Sequence, residues 1–558
     1  MIVGLDMGGT NIDAVIVEDG KILKTVKQPT DRDNLFESIW GTLNVLLEDC
    51  DKSEIKRINL STTVSTNAIV EDKVSPVGII IQSGPGLNNK FLACGDENIF
   101  ISGYVDHRGK IVKDIDSREI KDAVKAFEEK NIQHCAVITK FSTRNPRHEI
   151  KIRDAIDKNF SHVTMGHTLS GKLNFPRRVF TSYLNSAVYD TFKNFALYIK
   201  KSLEKEGMST PVFILKADGG TMNLEASGEK PVETILSGPA ASFMGINAML
   251  LGTDEDAVLL DVGGTTTDIF FLVDGVPLFE PLGIKIGPYN TLVRSIYSVS
   301  IGLGGDSSID IEDGNIEIGP RREGVPYAFG GPKPTPTDAM IVLGDIEEGD
   351  REKAHEAMKI LGKQLNLSVE DTAKTILETM ASIIKDKVDE LLREINGKPV
   401  YTIKELLYGK KVEPNIINII GGPAHILTPV LKKKFNLPCY FPKSYDVANA
   451  IGAALAKTTT EITMVADTEQ QILSVPELGI YEKISENYTL GNAREKAIEL
   501  LKKSALSLGA EEDTIETEIV EESSFNMVRG FYTGGKNIRI KAQIKPGLIQ
   551  ELRGEIND

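Results

Sequence analysis

Gly4-Leu-Asp6-Met-Gly8-Gly9-Thr10-Asn-Ile-Asp13 opens the chain, and 255 residues later the pattern returns as Leu259-Leu-Asp261-Val-Gly263-Gly264-Thr265-Thr-Thr-Asp268. The same offset aligns Asp19-Gly20 with Asp274-Gly275. Each copy reads as an apolar strand, a D-x-G-G-T turn and a second apolar strand, so the chain is expected to hold two similar α/β halves facing each other. Paired glycines let backbone N–H groups approach an anion closely, the Thr hydroxyl adds a donor, and an Asp at the strand end can hold a hydrated Mg²⁺ or orient a water. The competing reading of one copy is an ordinary hairpin turn. Two copies with matching Asp, Gly, Gly, Thr and downstream Asp favour phosphate binding. Asp13 and Asp268 can either orient these loops or cap the turns.

Two further glycine clusters do not qualify. Asp218-Gly219-Gly220-Thr221 lacks the residue between Asp and Gly-Gly. Gly530-Phe-Tyr-Thr-Gly-Gly535-Lys536 matches a P-loop in letters, but Asn537 follows where Ser or Thr would bind metal, and the next residues alternate like a strand. Gly534-Gly535 reads as a hairpin turn.

Composition removes several classes. At 558 residues the chain is too long for one core. A net charge of −16 leaves no broad basic stripe for nucleic acid or anionic lipid. Asp6 falls where a signal peptide needs an apolar run, and no stretch is long and apolar enough for a membrane span. Cys50, Cys94, Cys135 and Cys439 lie far apart, which argues against disulfide scaffolds and cysteine-held metal centres and fits a reducing, cytoplasmic setting.

Helices are expected at 34–47, 117–130, 181–206, 368–395 and 492–508. In the third, Leu184, Val188, Phe192, Phe195, Ile199 and Leu203 recur at helical spacing; in the fourth, Ser368 with Asp371 resembles a capping box. Residues 281–345, rich in Gly and Pro, read as active-site loops. Beyond 458 the pattern changes to one helix and strands at 515–519, 524–532 and 536–544. The expected division is 1–250 for the first half with substrate-side insertions, 251–457 for the second half with a helical insertion, and 458–558 for a small C-terminal unit.

With these residues in view, the chain resembles the actin, sugar-kinase and DnaK-type ATPase superfamily. Five elements appear in that superfamily's order: Asp6 to Thr10, then Ser237-Gly-Pro-Ala-Ala-Ser242, then Asp261 to Thr265, then Gly421-Gly422-Pro423-Ala424-His425, then Asp446-Val-Ala-Asn-Ala-Ile-Gly452. Within it, the chain looks like the ATP-binding subunit of the hydantoinase/oxoprolinase family. Matching segments include Ser61-Thr62-Thr63-Val-Ser-Thr66-Asn67, Asp106-His-Arg108-Gly109, Asn145-Pro146-Arg-His148-Glu149, Arg178-Val-Phe-Thr181, Asp218-Gly219-Gly220 and Thr337-Asp338-Ala339. Departures are Asp306 in the turn Gly302-Leu-Gly304-Gly305-Asp306-Ser307 and a cysteine-free Gly324-Val-Pro326 segment.

The resemblance implies an α/β fold of two actin-like (ribonuclease H-like) halves around a nucleotide cleft, followed by a small C-terminal α+β unit. It implies ATP with Mg²⁺ as cofactors. Asp6 and Asp261 would be catalytic and would take the metal. Gly8, Gly9, Thr10, Gly263, Gly264 and Thr265 would take the phosphates, and Gly421, Gly422 and Pro423 the adenosine. Thr62, Thr63, Asn67, Arg178 and Asp218 would meet the substrate, where an Arg offers a bidentate fork to a carboxylate or cyclic amide. His107, His148 and His425 read as structural or loop residues. The activity implied is ATP-dependent hydrolysis of a cyclic amide such as a hydantoin or 5-oxoproline, by phosphoryl activation of the amide oxygen, with a hydantoinase B-type subunit or a homodimer as partner. An ATP-dependent ketone carboxylase subunit and a nucleotide-switch ATPase acting on a protein partner are the alternatives.

Overall fold

The computed structural model describes residues 1–8, 11–31, 34–249, 255–397, 411–529 and 532–552. The internal echo is a repeat of structure down to single hydrogen bonds. Ile2–Met7 pairs antiparallel with Asn11–Glu18, placing Asp6 opposite Asp13. Ala257–Val262 pairs with Thr267–Val273, placing Asp261 opposite Asp268. The Gly8 N–H donates to the Asn11 carbonyl at 3.0 Å, and the Gly263 N–H to the Thr266 carbonyl at 2.9 Å. In each repeat an Asp-Gly turn then joins the second strand to the next one, with positive φ at both residues, 47° and 75° in the first and 50° and 70° in the second. That is the left-handed backbone that Asp and Gly tolerate in two-residue hairpin loops.

Each hairpin belongs to its own mixed sheet. In the first, the order is Thr221–Asn223, Val212–Leu215, Arg57–Thr62, Ile2–Met7, Asn11–Glu18, Lys21–Pro29. The strands Val212–Leu215, Arg57–Thr62 and Ile2–Met7 run parallel, so their C-terminal ends share one edge. In the second sheet, Ala257–Val262, Ile416–Ile420 and Cys439–Tyr440 are likewise parallel. The central strands are buried on both faces, as in sheets covered on both sides, and are mostly apolar; Arg57–Thr62 is the exception, with Arg57, Asn59 and Ser61 buried on one face.

Helices Ser237–Met249 and Ala448–Leu455 pack between the halves, buried nearly all round. They cross closely because glycines sit at the contact. A Cβ on Gly245 would overlap the Ala448 carbonyl, one on Gly452 the Ala241 carbonyl, and one on Gly4 the Ala450 carbonyl. A third sheet interrupts the first half. Its order is His162–Met165, His134–Thr139, Val77–Gln82, Glu97–Phe100, and all four strands are parallel.

Three local expectations are corrected. The helix expected at 181–206 is two helices, Phe175–Ala187 and Tyr189–Lys205. It starts early because Asn174 caps Arg177 and Pro176 takes the first turn, and it bends at Val188, where the Ser75 N–H takes the Ala187 carbonyl at 2.9 Å. Gly534-Gly535 is not a hairpin turn. Both lie inside the strand Tyr532–Ile544, which pairs along its length with Thr517–Arg529, and the register skips Gly534 between Gly535 opposite Met527 and Thr533 opposite Val528. The glycines make a β-bulge, another site that suits them. The separate strands expected at 515–519 and 524–532 are thus one long strand.

Ser368 does cap a helix as expected, though not through a full capping box: its Oγ accepts the Asp371 N–H at 3.1 Å and donates to Asp371 Oδ2 at 2.7 Å, opening the helix Val369–Gly397. The C-terminal unit is a five-stranded antiparallel sheet. Helix Leu490–Ser507 covers one face, with Ala493, Ala497 and Leu501 against Ile462, Met464, Ile538 and Ile540. The other, more polar face meets the inserted parallel sheet, where Ser474 Oγ donates to the Thr143 carbonyl and the Gly171 N–H donates to Glu477.

Candidate active site

Asp6 and Asp261 end equivalent strands in the two sheets, and their charges repel across the space between the halves. Asp6 is 7% exposed, and burial, with lesser contributions from Asp13 and Asp261, pushes its carboxyl up to about 6. Burial also raises Asp261. Asp268 is pushed up to about 7 by burial and by Asp261. Asp13 is raised by burial and partly compensated by Lys27, whose Nζ lies 3.0 Å from its Oδ1. Four acids from the two repeats therefore converge on one locus.

The connecting helices reach into that locus. Asn449 Nδ2 donates to Asp6 Oδ2 at 3.3 Å and also supports Asp261. Ser242 Oγ donates to Asp261 Oδ2 at 2.6 Å. Lys27 Nζ bonds the Asp446 carbonyl at 3.2 Å, and its charge reaches Asp261. Each connecting helix thus holds a carboxylate with one polar side chain. Asn449 and Ser242 stand inside segments the sequence pattern picks out, yet only the helix crossing shows that they face the acids. Lys27 has no sequence signal beyond the hairpin register.

The second glycine turn is braced from outside. The Gly305 N–H donates to the Gly263 carbonyl and the Asp306 N–H to the Gly264 carbonyl, at 3.0 and 2.6 Å. Asp306, the departure from the family pattern, pairs with Arg322 at 2.9 Å, so its added charge is answered within the chain. Gly264 and Thr265 are exposed. Gly8 repeats the geometry of Gly263, while Gly9 and Thr10 lie outside the described residues. Gly421, at φ 93°, abuts the Asp261 strand so closely that a Cβ would sit 3.0 Å from Asp261 Oδ1, and Gly422 next to it faces open space. Pro423 completes this turn ahead of helix Ala424–Phe435.

A dedicated metal cage is not part of this site: among the described residues, no three His, Cys, Asp or Glu side chains are grouped to hold an ion. The donor set still fits Mg²⁺ carried with a polyphosphate, because that ion takes one or two carboxylates and fills its octahedron with phosphate oxygens and water. Among the described residues, Asp6 Oδ1 is buried without a hydrogen-bond partner, an oxygen that a cation could take.

Comparison with known proteins fits this geometry. The hydantoinase/oxoprolinase family matches residues 178–462, and its N-terminal region matches residues 2–160. The chain belongs to the hydantoinase/oxoprolinase family. It is 26% identical to the caprolactamase subunit alpha of Pseudomonas jessenii over 67% of this chain and 60% of that one. It is 25% identical to the acetophenone carboxylase gamma subunit of Aromatoleum aromaticum over 69% of this chain and 61% of that one. The aligned part is thus less than two thirds of either enzyme subunit. Among solved structures, the ATP-dependent caprolactamase of Pseudomonas jessenii superposes with a TM-score of 0.71 at 18% identity, covering 97% of this chain and 87% of that one. A nucleotide-free acetone carboxylase superposes with a TM-score of 0.69 at 16% identity, covering 99% and 88%. The expected actin-like α/β fold is the one observed. Among the described residues, no helix is long and apolar enough to cross a membrane.

The five family residues expected at the substrate fall in three places. Thr62, Thr63 and Asn67 flank the first loop: Thr63 Oγ1 donates to the Met7 carbonyl, Asn67 Nδ2 to Thr63 Oγ1, and Ser237 Oγ to the Thr62 carbonyl. Asp218 lies at the same sheet edge, just beyond Val212–Leu215, the strand next to Arg57–Thr62. It lines a cavity of about 320 Å³ with Lys216 and Arg294. Burial pushes its carboxyl up, but Lys216 and Arg294 outweigh this and hold it below the usual range. Arg178 is corrected. Its side chain is fully buried, with Nη1 and Nη2 donating to the Lys172 and Thr139 carbonyls at 3.0 and 3.2 Å beside Glu149, so these two nitrogens pin the inserted sheet and present no exposed fork to a ligand. Of the histidines, His148 is buried against Gln82 at 2.9 Å, and His425 meets Tyr445.

Proposed function

We propose that this chain is the nucleotide-binding subunit of an ATP-dependent enzyme that opens a cyclic amide. The observation carrying the reading is the meeting of Asp6 and Asp261, each at the end of a repeated strand before a glycine turn. Gly8, Gly9, Thr10, Gly263, Gly264 and Thr265 take the phosphates, and Gly421, Gly422 and Pro423 seat the adenosine. Asp6 and Asp261 hold Mg²⁺, which when bound neutralises phosphate charge. Ser242 and Asn449 keep both carboxylates aimed at one point.

A substrate lying beside Thr62, Thr63 and Asn67, toward Asp218, presents its amide oxygen to the γ-phosphorus. That oxygen forms the new P–O bond as ADP leaves. The ring carbon, no longer protected by amide resonance, is then attacked by water. Collapse of the adduct opens the C–N bond, the nitrogen leaving as the protonated amine and the carbon remaining as an acyl phosphate. A second water attacks that carbonyl carbon, and inorganic phosphate departs with the former amide oxygen. The chain's part is positioning and charge neutralisation, which dominate phosphoryl transfer. Relatives named as 5-oxoprolinase 1 and caprolactamase subunit alpha support the substrate class, and the subunit names support a separate partner chain for the hydrolytic step.

The match to an acetophenone carboxylase subunit favours a second reading, in which an enolate oxygen takes the phosphoryl group. One assay separates the two: phosphate release from ATP across lactams, hydantoins and ketones, with and without bicarbonate. The amidase reading expects at least about 10-fold stimulation by a lactam or hydantoin, equal to about 1.4 kcal/mol of barrier. Stimulation by ketones only, and only with bicarbonate, establishes the carboxylase. A rate indifferent to all of them but raised by a protein partner overturns both in favour of a nucleotide switch.

A further inference from the structure

The parallel sheet inserted in the first half has its own crevice. Val77–Gln82 comes first in the chain, Glu97–Phe100 lies on one side of it, and His134–Thr139 and His162–Met165 lie on the other. The winding therefore reverses between Val77–Gln82 and His134–Thr139. In open parallel sheets, ligands bind at the carboxyl ends of the two strands flanking such a reversal. Two family segments that the nucleotide cleft does not use, around Asp106 to Gly109 and Asn145 to Glu149, meet at this edge, where Asn145 Nδ2 donates to the Gly109 carbonyl at 2.7 Å. The Lys140 N–H ties the two strand ends together through the Gln82 carbonyl at 2.8 Å.

A cavity of about 430 Å³ lies here, roofed by the polar face of the C-terminal sheet and lined by His107, Arg108, Arg144, Asp467 and Glu469 among others. Arg539 lies one alternation along its strand from the lining residue Asn537, on the same face, and its charge reaches Arg144. Arg108 is engaged, at 2.9 Å from Asp467 and 2.7 Å from Glu469. Arg144 is not: among the described residues its Nε and Nη1 are buried without hydrogen-bond partners, as are the Nε atoms of Arg108 and Arg539. Among the described residues three guanidinium groups thus face two carboxylates, which leaves one positive charge and an edge of planar N–H donors unanswered in a half-buried site. An unpaired buried charge is costly, and a guanidinium edge matches the paired oxygens of an oxyanion.

We propose that this cavity is a second small-molecule site that binds a compact oxyanion through Arg144 and Arg539. A carboxylate, bicarbonate and inorganic phosphate share the recognised chemistry. The site is separate from the Asp6–Asp261 cleft, and the inference stands whether or not that cleft takes ATP.

The test is titration calorimetry on the full chain with sodium acetate, sodium bicarbonate and sodium phosphate in turn, each against chloride at matched ionic strength. Saturable binding of at least one is expected, and the strongest of the three identifies the source. R144Q should weaken it at least about 10-fold, R144K less, and D261N not at all, which separates this site from the nucleotide cleft. R539Q should weaken it several-fold and decides the matter if R144Q fails to fold, as judged by circular dichroism. No saturable binding of any of the three to the wild-type chain overturns the proposal. So does binding that R144Q or R539Q leaves unchanged, or binding that D261N abolishes.

Discussion

The shift at Asp6 makes this cleft carboxylate a cost to the fold, and D6N should expose that cost. Burial raises Asp6 from 3.8 to about 6, so the native chain keeps a proton that the unfolded chain releases. Stability from that proton is fully present below the unfolded value and is lost as pH rises through about 6. Integrating the two titrations gives a native-state penalty of about 1.6 kcal/mol at about pH 5 and about 3 kcal/mol at about pH 7.5. An asparagine is neutral throughout and can still accept from Asn449. D6N should therefore be more stable than wild type, with its advantage growing by about 1.4 kcal/mol between those two pH values, while ATP turnover falls about 100-fold or more. The chain's single tryptophan, Trp40, lies on helix Leu35–Leu47 of the same half and bonds Glu206 at 2.8 Å, so its fluorescence in urea reports the relevant transition. A stability difference flat across this range would refute the buried, proton-holding carboxyl. Near wild-type turnover in D6N would refute its place in the chemistry.

Two substitutions probe neighbouring parts of the same argument. N449A removes the amide shared by both carboxylates and should lower ATP turnover about 10-fold or more while circular dichroism stays unchanged, because the loss concerns aim rather than packing. R178A leaves the Lys172 and Thr139 carbonyls without their donor and Glu149 without its neighbouring cation, so a loss of about 3–5 kcal/mol in urea denaturation is expected. A stable R178A that loses only its response to small molecules would return Arg178 to a ligand-facing role.

What the sequence made legible and what it hid follow from the range of the forces involved. The repeated hairpins are written locally. An apolar strand, an Asp, paired glycines and an Asp-Gly turn fix their own register, which is why one offset carries Asp6 to Asp261 and the Gly8 hydrogen bond to that of Gly263. The crossing of the connecting helices is written almost as locally, since only small residues survive where Gly245 meets Ala448 and Gly452 meets Ala241. Burial and partnership depend on the whole fold, and here local reading misleads. Arg178 has the chemistry of a carboxylate clamp, yet two backbone carbonyls claim it. Gly534 and Gly535 suit a turn and a bulge equally, and only the pairing of Met527 with Gly535 decides between them. Lys27 shows the same limit from the other side. Nothing in its neighbourhood marks it, but the register of Lys21–Pro29 sets it opposite Asp13 and within reach of the second repeat. A motif names the backbone that can meet a phosphate; the long-range pairing of the two halves selects the side chains that answer its charge.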